Sequence, residues 1–240
     1  MMKEMFKKFK YTKDRSFTRN LVFCIISLLG VILIPSIIGI LLMGFVKNDM
    51  VNTLISNLVF CLILYLMYYK DLNKEFKTYK NNFKSNFKLG FKYYILGFIG
   101  MIFFNLLIAV FLKNISSNES QVRDMLFSSP VITFLCIALT APFSEEIVFR
   151  KSLAPVIKNK WIYVIVCGLL FGGAHILTNI LNNAFVISDL IYILPYGCLG
   201  ASFALMDRET SSTFTSIVMH CLHNSATGVL LLVTYFSGLM

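Results

Sequence analysis

Long apolar runs separated by short polar links set the pattern of this chain. The first run covers about residues 21–46 with Pro35 inside it, and the link Lys47-Asn-Asp-Met50 leads to a second at about 52–69. Further runs lie at about 93–112, 130–157, 161–180, 186–206 and 212–237. A helix needs roughly 20 apolar residues to cross the hydrocarbon of a bilayer, so these runs predict an all-α fold, a polytopic membrane helix bundle of about seven transmembrane helices. Pro35 predicts a bend in the first helix. Pro195 and Gly197 interrupt the sixth, which Asp207-Arg208-Glu209 close.

The pattern changes between the second and third runs. Lys70, Lys74, Lys77, Lys80, Lys84, Lys88 and Lys92 recur mostly three or four apart, with Phe76, Tyr79, Phe83 and Phe87 at matching spacing. Such a stretch predicts a basic interfacial helix lying on the membrane. Residues 1–19, where Phe6, Phe9, Tyr11 and Phe17 interleave with lysines, read as an amphipathic segment on an anionic leaflet. The Ser- and Asn-rich stretch 113–129 reads as a polar loop. No internal repeat or low-complexity linker is visible, so residues 1–240 read as a single integral membrane domain with a polar-motif core at about 130–225.

Composition agrees: 57% hydrophobic and 14% charged residues leave too little polar surface for a soluble globule. The net charge of +10 would suit nucleic acid if the basic residues formed one patch. Instead seven Lys/Arg precede the first run, seven lysines lie between the second and third, and Lys158 and Lys160 sit between the fourth and fifth. By the positive-inside rule those segments and the N-terminus are cytoplasmic, in the cell membrane, and the partner implied is a bilayer with anionic headgroups and no nucleic acid. The first run is too long for a signal-peptide core and reads as a membrane helix. The six cysteines are scattered singly with no CxxC, as small buried hydrophobes would be.

Three polar clusters interrupt these apolar runs. Pro142-Phe-Ser-Glu145-Glu146-Ile-Val-Phe-Arg150 places two carboxylates and a guanidinium where each costs roughly 2.5–3.5 kcal/mol, so a pairing or a functional cavity is expected. Glu146 and Arg150 are four apart and can pair, which leaves Glu145 unmatched. The plainer alternative is that Pro142 ends a helix and Ser144 caps the next, with both glutamates at its positive end. In the second cluster, Phe171-Gly-Gly-Ala-His175, Gly168 and Gly172 permit close helix approach. A turn near residue 160 lies fifteen residues from both Glu145 and His175, so in an antiparallel hairpin the two sit at one depth, about 22 Å from the tip. The third cluster, His220-Cys-Leu-His-Asn224, puts His220 and Asn224 on one face with His223 modestly off it. Interhelical hydrogen bonding is its plainer reading. Glutamate with histidines also raises zinc, but no HExxH is present, nor a GxSG, GxGD or YD motif. Cys221 and His220 diverge by about 100° on a helix and make no dyad.

Glu145-Glu146-xxx-Arg150, Phe171-xxx-His175 and His220-xxx-Asn224, in that order, resemble the CAAX protease and bacteriocin-processing (CPBP) family of intramembrane proteases. The resemblance implies an intramembrane endopeptidase in which Glu145, as general base, and His175 activate water. His220 and Asn224 would stabilise the tetrahedral oxyanion, and Glu146 with Arg150 would orient Glu145. A carboxylate in a dry site suits such proton transfer, and preorganised donors suit the oxyanion. The implied mechanism requires no cofactor; were a zinc ion bound, Glu145, His175 and His220 would be its ligands. Lys151 departs from the glycine common at that position, which bears on helix packing or snorkelling. The implied partner is a peptide or membrane-protein substrate, such as a bacteriocin or signalling-peptide precursor, reached from the cytoplasmic leaflet. The competing readings are a catalytically silent scaffold or regulator, a bacteriocin self-immunity protein, and a transporter, which would call for paired repeats that are not seen.

Overall fold

Most of the apolar runs become helix, and the polar links cap them. The computed structural model describes residues 15–111, 116–181 and 184–238. Its helices are α1 (Phe17–Leu42), α2 (Asp49–Asn81), α3 (Phe83–Phe111), α4 (Ser117–Ser128), α5 (Pro130–Lys151), α6 (Lys160–Leu181), α7 (Ile193–Thr210) and α8 (Thr213–Phe236), with a 3-10 turn at Ile187–Tyr192 before α7. Seven of these segments are long and apolar enough to cross a membrane, α4 being the exception, and no strand occurs among the described residues. The protein is an all-α polytopic helix bundle. Ser16 accepts from Arg19 N (3.3 Å), Asn48 from Val51 N (3.0 Å), Ser116 from Glu119 N (3.1 Å) and Asn159 from Trp161 N (2.9 Å), so the polar links answer the unpaired amides at four helix starts.

Several expectations are corrected. No separate basic helix spans Lys70–Lys92: α2 runs on through Lys80, breaks at Asn82, and α3 starts at Phe83. The lysines therefore line the two helix ends that meet at Asn82; the periodicity was helical throughout and could not mark where one helix gave way to the next. Most of 113–129, expected as a loop, is α4, capped by Ser116. Pro195 does not interrupt the sixth span. It lies in the first turn of α7, where the absent N–H is tolerated. Residues 1–14 of the expected amphipathic segment lie outside the described residues, and Phe17 begins α1.

The helices divide into a hull and a core. In the most apolar windows only 17% of α1 and 11% of α3 is buried, against 50% of α5 and of the span containing α7. Leu29, Leu33 and Ile37 on α1 and Leu96, Ile99 and Phe103 on α3 are exposed, which in a bilayer means exposed to lipid. Every residue from Glu146 in α5 to Ala154 just beyond its end is buried, so this end of the helix is enclosed, while Val131, Leu135 and Leu139 near its start are exposed. α7 packs along α6 and α3. A Cβ at Gly168 would lie 2.9 Å from Gly197 O, and one at Gly172 2.5 Å from Ile193 O, so the expected small-residue face is what admits α7.

α5 is not a uniform α-helix. Two π-helical turns, Cys136–Thr140 and Ile147–Lys151, flank the six residues Ala141–Glu146. Pro142 has no N–H, and its ring would clash with the carbonyl four residues back; the wide turn just before it gives room. The helix thus passes through Pro142 and does not restart there. Ser144 is no cap: its hydroxyl donates to Thr140 O (2.9 Å).

Candidate active site

The acid-rich motif lies between the two π-turns, where α5 faces α6, α7 and α8. Glu146 and Arg150 are both 0% exposed, and the pairing expected from their spacing is present: Arg150 Nη1 donates to Glu146 Oε1 (3.0 Å). Arg150 Nη2 donates to Gly200 O on α7 (3.0 Å), and the guanidinium lies over the rings of Phe171 (4.6 Å) and Phe203 (5.4 Å). Glu146 Oε1 also accepts from His220 Nδ1 (2.9 Å) on α8. One carboxylate oxygen therefore joins α5 to α8, while Oε2 has no hydrogen-bond partner among the described residues.

The two glutamates differ sharply. The Glu145 side chain is 23% exposed, and its Oε2 lies 3.9 Å from His220 Nε2, beyond direct hydrogen bonding. Phe203 stacks on the His220 ring (4.8 Å between centroids) and Phe171 meets it edge-on (5.5 Å). With Nδ1 facing a carboxylate, which can only accept, His220 holds a proton on that nitrogen and turns Nε2 toward Glu145.

His175 is fixed in the same way. Its Nδ1 donates to Phe171 O (2.8 Å), since a carbonyl can only accept, so neutral His175 has its lone pair on Nε2. Tyr196 stacks flat on the ring at 4.0 Å, its hydroxyl paired with Ser116 (2.8 Å) and Asn118 (3.3 Å) of the α4 start. The hairpin register follows the expected one: Phe149 meets Phe171 edge-on (5.9 Å), each four residues nearer the turn than Glu145 and His175.

Asn224 shares the site's side of α8, but one amide N–H donates to Ile137 O (2.8 Å) in the first π-turn. That contact is the interhelical bond of the plainer reading, and it leaves the second N–H of the amide. His223 turns away to α3, with its Nδ1 3.2 Å from Tyr94 Oη. Among the described residues no three His, Cys, Asp or Glu side chains are grouped so as to hold a metal ion. Glu145, His175 and His220 thus form no ligand set for zinc among the described residues.

A second buried ionic cluster begins at Lys151, the last residue of α5 and the neighbour of Arg150. Lys151 is 1% exposed and does not snorkel; it pairs with Glu75 of α2, itself 0% exposed. Glu75 Oε2 accepts from Thr213 N (3.2 Å). Asp207 accepts from Tyr163 Oη (2.6 Å) and Thr213 Oγ1 (2.8 Å), and Arg208 lies over the Tyr163 ring (4.3 Å) while donating to Ala154 O (3.3 Å). Sequence reading placed Glu75 on a surface helix and Asp207-Arg208 in a closing loop. The available signal was an acid in a lysine run and an acid–base pair beside an apolar run. Tyr196 had no signal beyond its place in an apolar span.

Residues 127–226 match the family described as Rce1-like, type II CAAX prenyl endopeptidase. The match takes in all three motifs and bears out the resemblance read from them; α1, α2 and α3 lie outside it. Neither the curated proteins nor the solved structures give a match.

Proposed function

We propose, taking residues 127–226 as the core of an Rce1-like CAAX endopeptidase, that this multi-pass membrane protein hydrolyses a peptide bond of a peptide or membrane-associated substrate. The observation that supports it most is the division between the glutamates: Glu146 is enclosed and bonded to Arg150 and His220, while Glu145 is partly exposed and lies 3.9 Å from His220 Nε2. In this reading Glu145 takes a proton from water held between it and His175 Nε2. The water oxygen bonds to the carbonyl carbon, and the oxygen of the tetrahedral intermediate takes the charge. The second N–H of Asn224 and a protonated Nε2 of His220 donate to that oxyanion. Collapse breaks the C–N bond, and Glu145 returns its proton to the leaving amine. Charge balances when His220 holds two protons: Glu145 and Glu146 against Arg150 and His220. The lysines at the α2–α3 junction would meet anionic headgroups on the cytoplasmic side, the side from which substrate enters.

The Asn224–Ile137 hydrogen bond favours a second reading, a catalytically silent scaffold or bacteriocin self-immunity protein in which the motif residues join helices. Cleavage of candidate peptides by detergent-purified protein separates the two. Glu145→Ala and His175→Ala are each expected to lose about 10²- to 10⁴-fold in kcat. Full activity in both variants would sink the protease assignment, and unchanged cellular function would favour the scaffold. Loss on chelation, restored by zinc, would replace the metal-free scheme.

A further inference from the structure

We propose that Glu75 is a positioning residue for this site, a clamp that sets the helix carrying Glu145 and Glu146 against the helix carrying His220; the inference rests on the protease reading above. Glu75 lies on the part of α2 that extends past the second apolar run, and both of its carboxylate oxygens are engaged. Oε1 pairs with Lys151, the last residue of α5 and the neighbour of Arg150. Oε2 accepts from the backbone N–H of Thr213, the first residue of α8. The residue that should cap α8, Ser212, makes no side-chain capping bond, so the cap comes from another helix as a carboxylate, the group best suited to a helix N-terminus.

Lys151 lies five residues, about 7.5 Å of helix, from Glu146, and Thr213 lies seven residues, about 10.5 Å, from His220. Besides the Asn224–Ile137 bond, α5 and α8 are thus joined by two rungs: Glu146–His220 inside the site, and Lys151–Glu75–Thr213 about one and a half to two turns below it. Asp207 also holds Thr213, through its hydroxyl, but ties it to α7, so Glu75 supplies the link to α5. If the lower rung moves, the upper rung moves with it, and a shift of 1 Å at reacting groups costs up to about 100-fold in rate.

The test removes the clamp without stranding a charge. Replacing a buried ion pair by apolar residues of similar size is often neutral for stability, so the Glu75→Leu/Lys151→Met protein should melt near wild type. Its leucine cannot accept from Thr213 N, whereas Glu75→Gln/Lys151→Met keeps an acceptor there. Two readouts are taken: kcat and KM, and the resonance of the His220 Nδ1 proton in ¹⁵N-histidine-labelled protein, assigned with His220→Gln. The Leu/Met protein should lose about 10- to 100-fold in kcat with KM within about twofold, and its His220 signal should shift or vanish; the Gln/Met protein, which keeps the contact to α8 but not the link to α5, should show both changes, and full recovery in it would overturn the clamp by leaving only a helix cap. Should the Leu/Met protein fail to fold, Thr213→Pro removes the same N–H at a position where proline is tolerated, and the same two changes are expected. An unshifted His220 signal in the variant lacking the Thr213 contact overturns the clamp. A wild-type protein without peptidase activity instead counts against the protease reading, and the His220 signal still decides the clamp.

Discussion

The same helix holds two buried charge clusters that behave differently. At the end of α5, Glu75, Lys151, Asp207, Tyr163 and Thr213 satisfy one another, and each charged group among them is almost wholly enclosed. One and five residues earlier in the chain, Arg150 and Glu146 are as enclosed, yet their bonds hold His220 with Nε2 turned toward Glu145. Glu145 Oε2 and His220 Nε2, 3.9 Å apart, lie outside that cluster's hydrogen bonds. Buried charge alone marks neither structure nor function. A cluster whose bonds close on themselves joins helices, and one whose bonds hold unbonded acids and bases in place can do chemistry.

The contrast can be broken most forcefully at Glu146. Glu146→Leu strips the buried Arg150 and His220 of their shared acceptor and is expected to cost about 3–5 kcal/mol, as removing one partner of a buried pair does, together with all peptidase activity. Thermal melts in detergent and a cleavage assay read both. A smaller effect is expected in the closed cluster: Asp207→Asn keeps a hydrogen-bond acceptor for Tyr163 or Thr213 but loses its charge, costing about 1–3 kcal/mol. The folded fraction should cleave at the wild-type rate, because Glu75 still holds Thr213 N, and a lost kcat there would mean that Asp207 shares with Glu75 in setting α8. Smallest is Tyr196→Phe, which preserves the ring stacked on His175 and removes the bonds to Ser116 and Asn118. It should cost about 1 kcal/mol and leave kcat within about threefold, whereas Tyr196→Ala, losing the stack, should slow turnover further.

The seven spans were legible because lipid leaves a helix no way to hide a polar backbone except within itself, so length and hydropathy suffice. The site residues were legible for a related reason: Glu145, Glu146, Arg150, His175, His220 and Asn224 stand out against apolar flanks. Glu75 was hidden by the lysines around it, which read as a solvated face, and Asp207 by its place at the end of a span. The break at Asn82 was hidden because helical periodicity continues across it. The two π-turns leave no mark on hydropathy, and only Pro142 hinted at the first.

By itself the sequence determined that this chain is a bundle of membrane helices with three intruding polar motifs, because insertion in lipid is decided segment by segment from local composition. It also determined the Glu146–Arg150 pair, which four residues on one helix bring together. Only the tertiary structure decided which nitrogen of each histidine is held and which is left open, that Asn224 is shared with the Ile137 carbonyl, and that Lys151 is buried against an acid 76 residues away. Those outcomes depend on which helix faces which, and that is settled by glycine contacts, stacked rings and ion pairs between residues far apart in the chain.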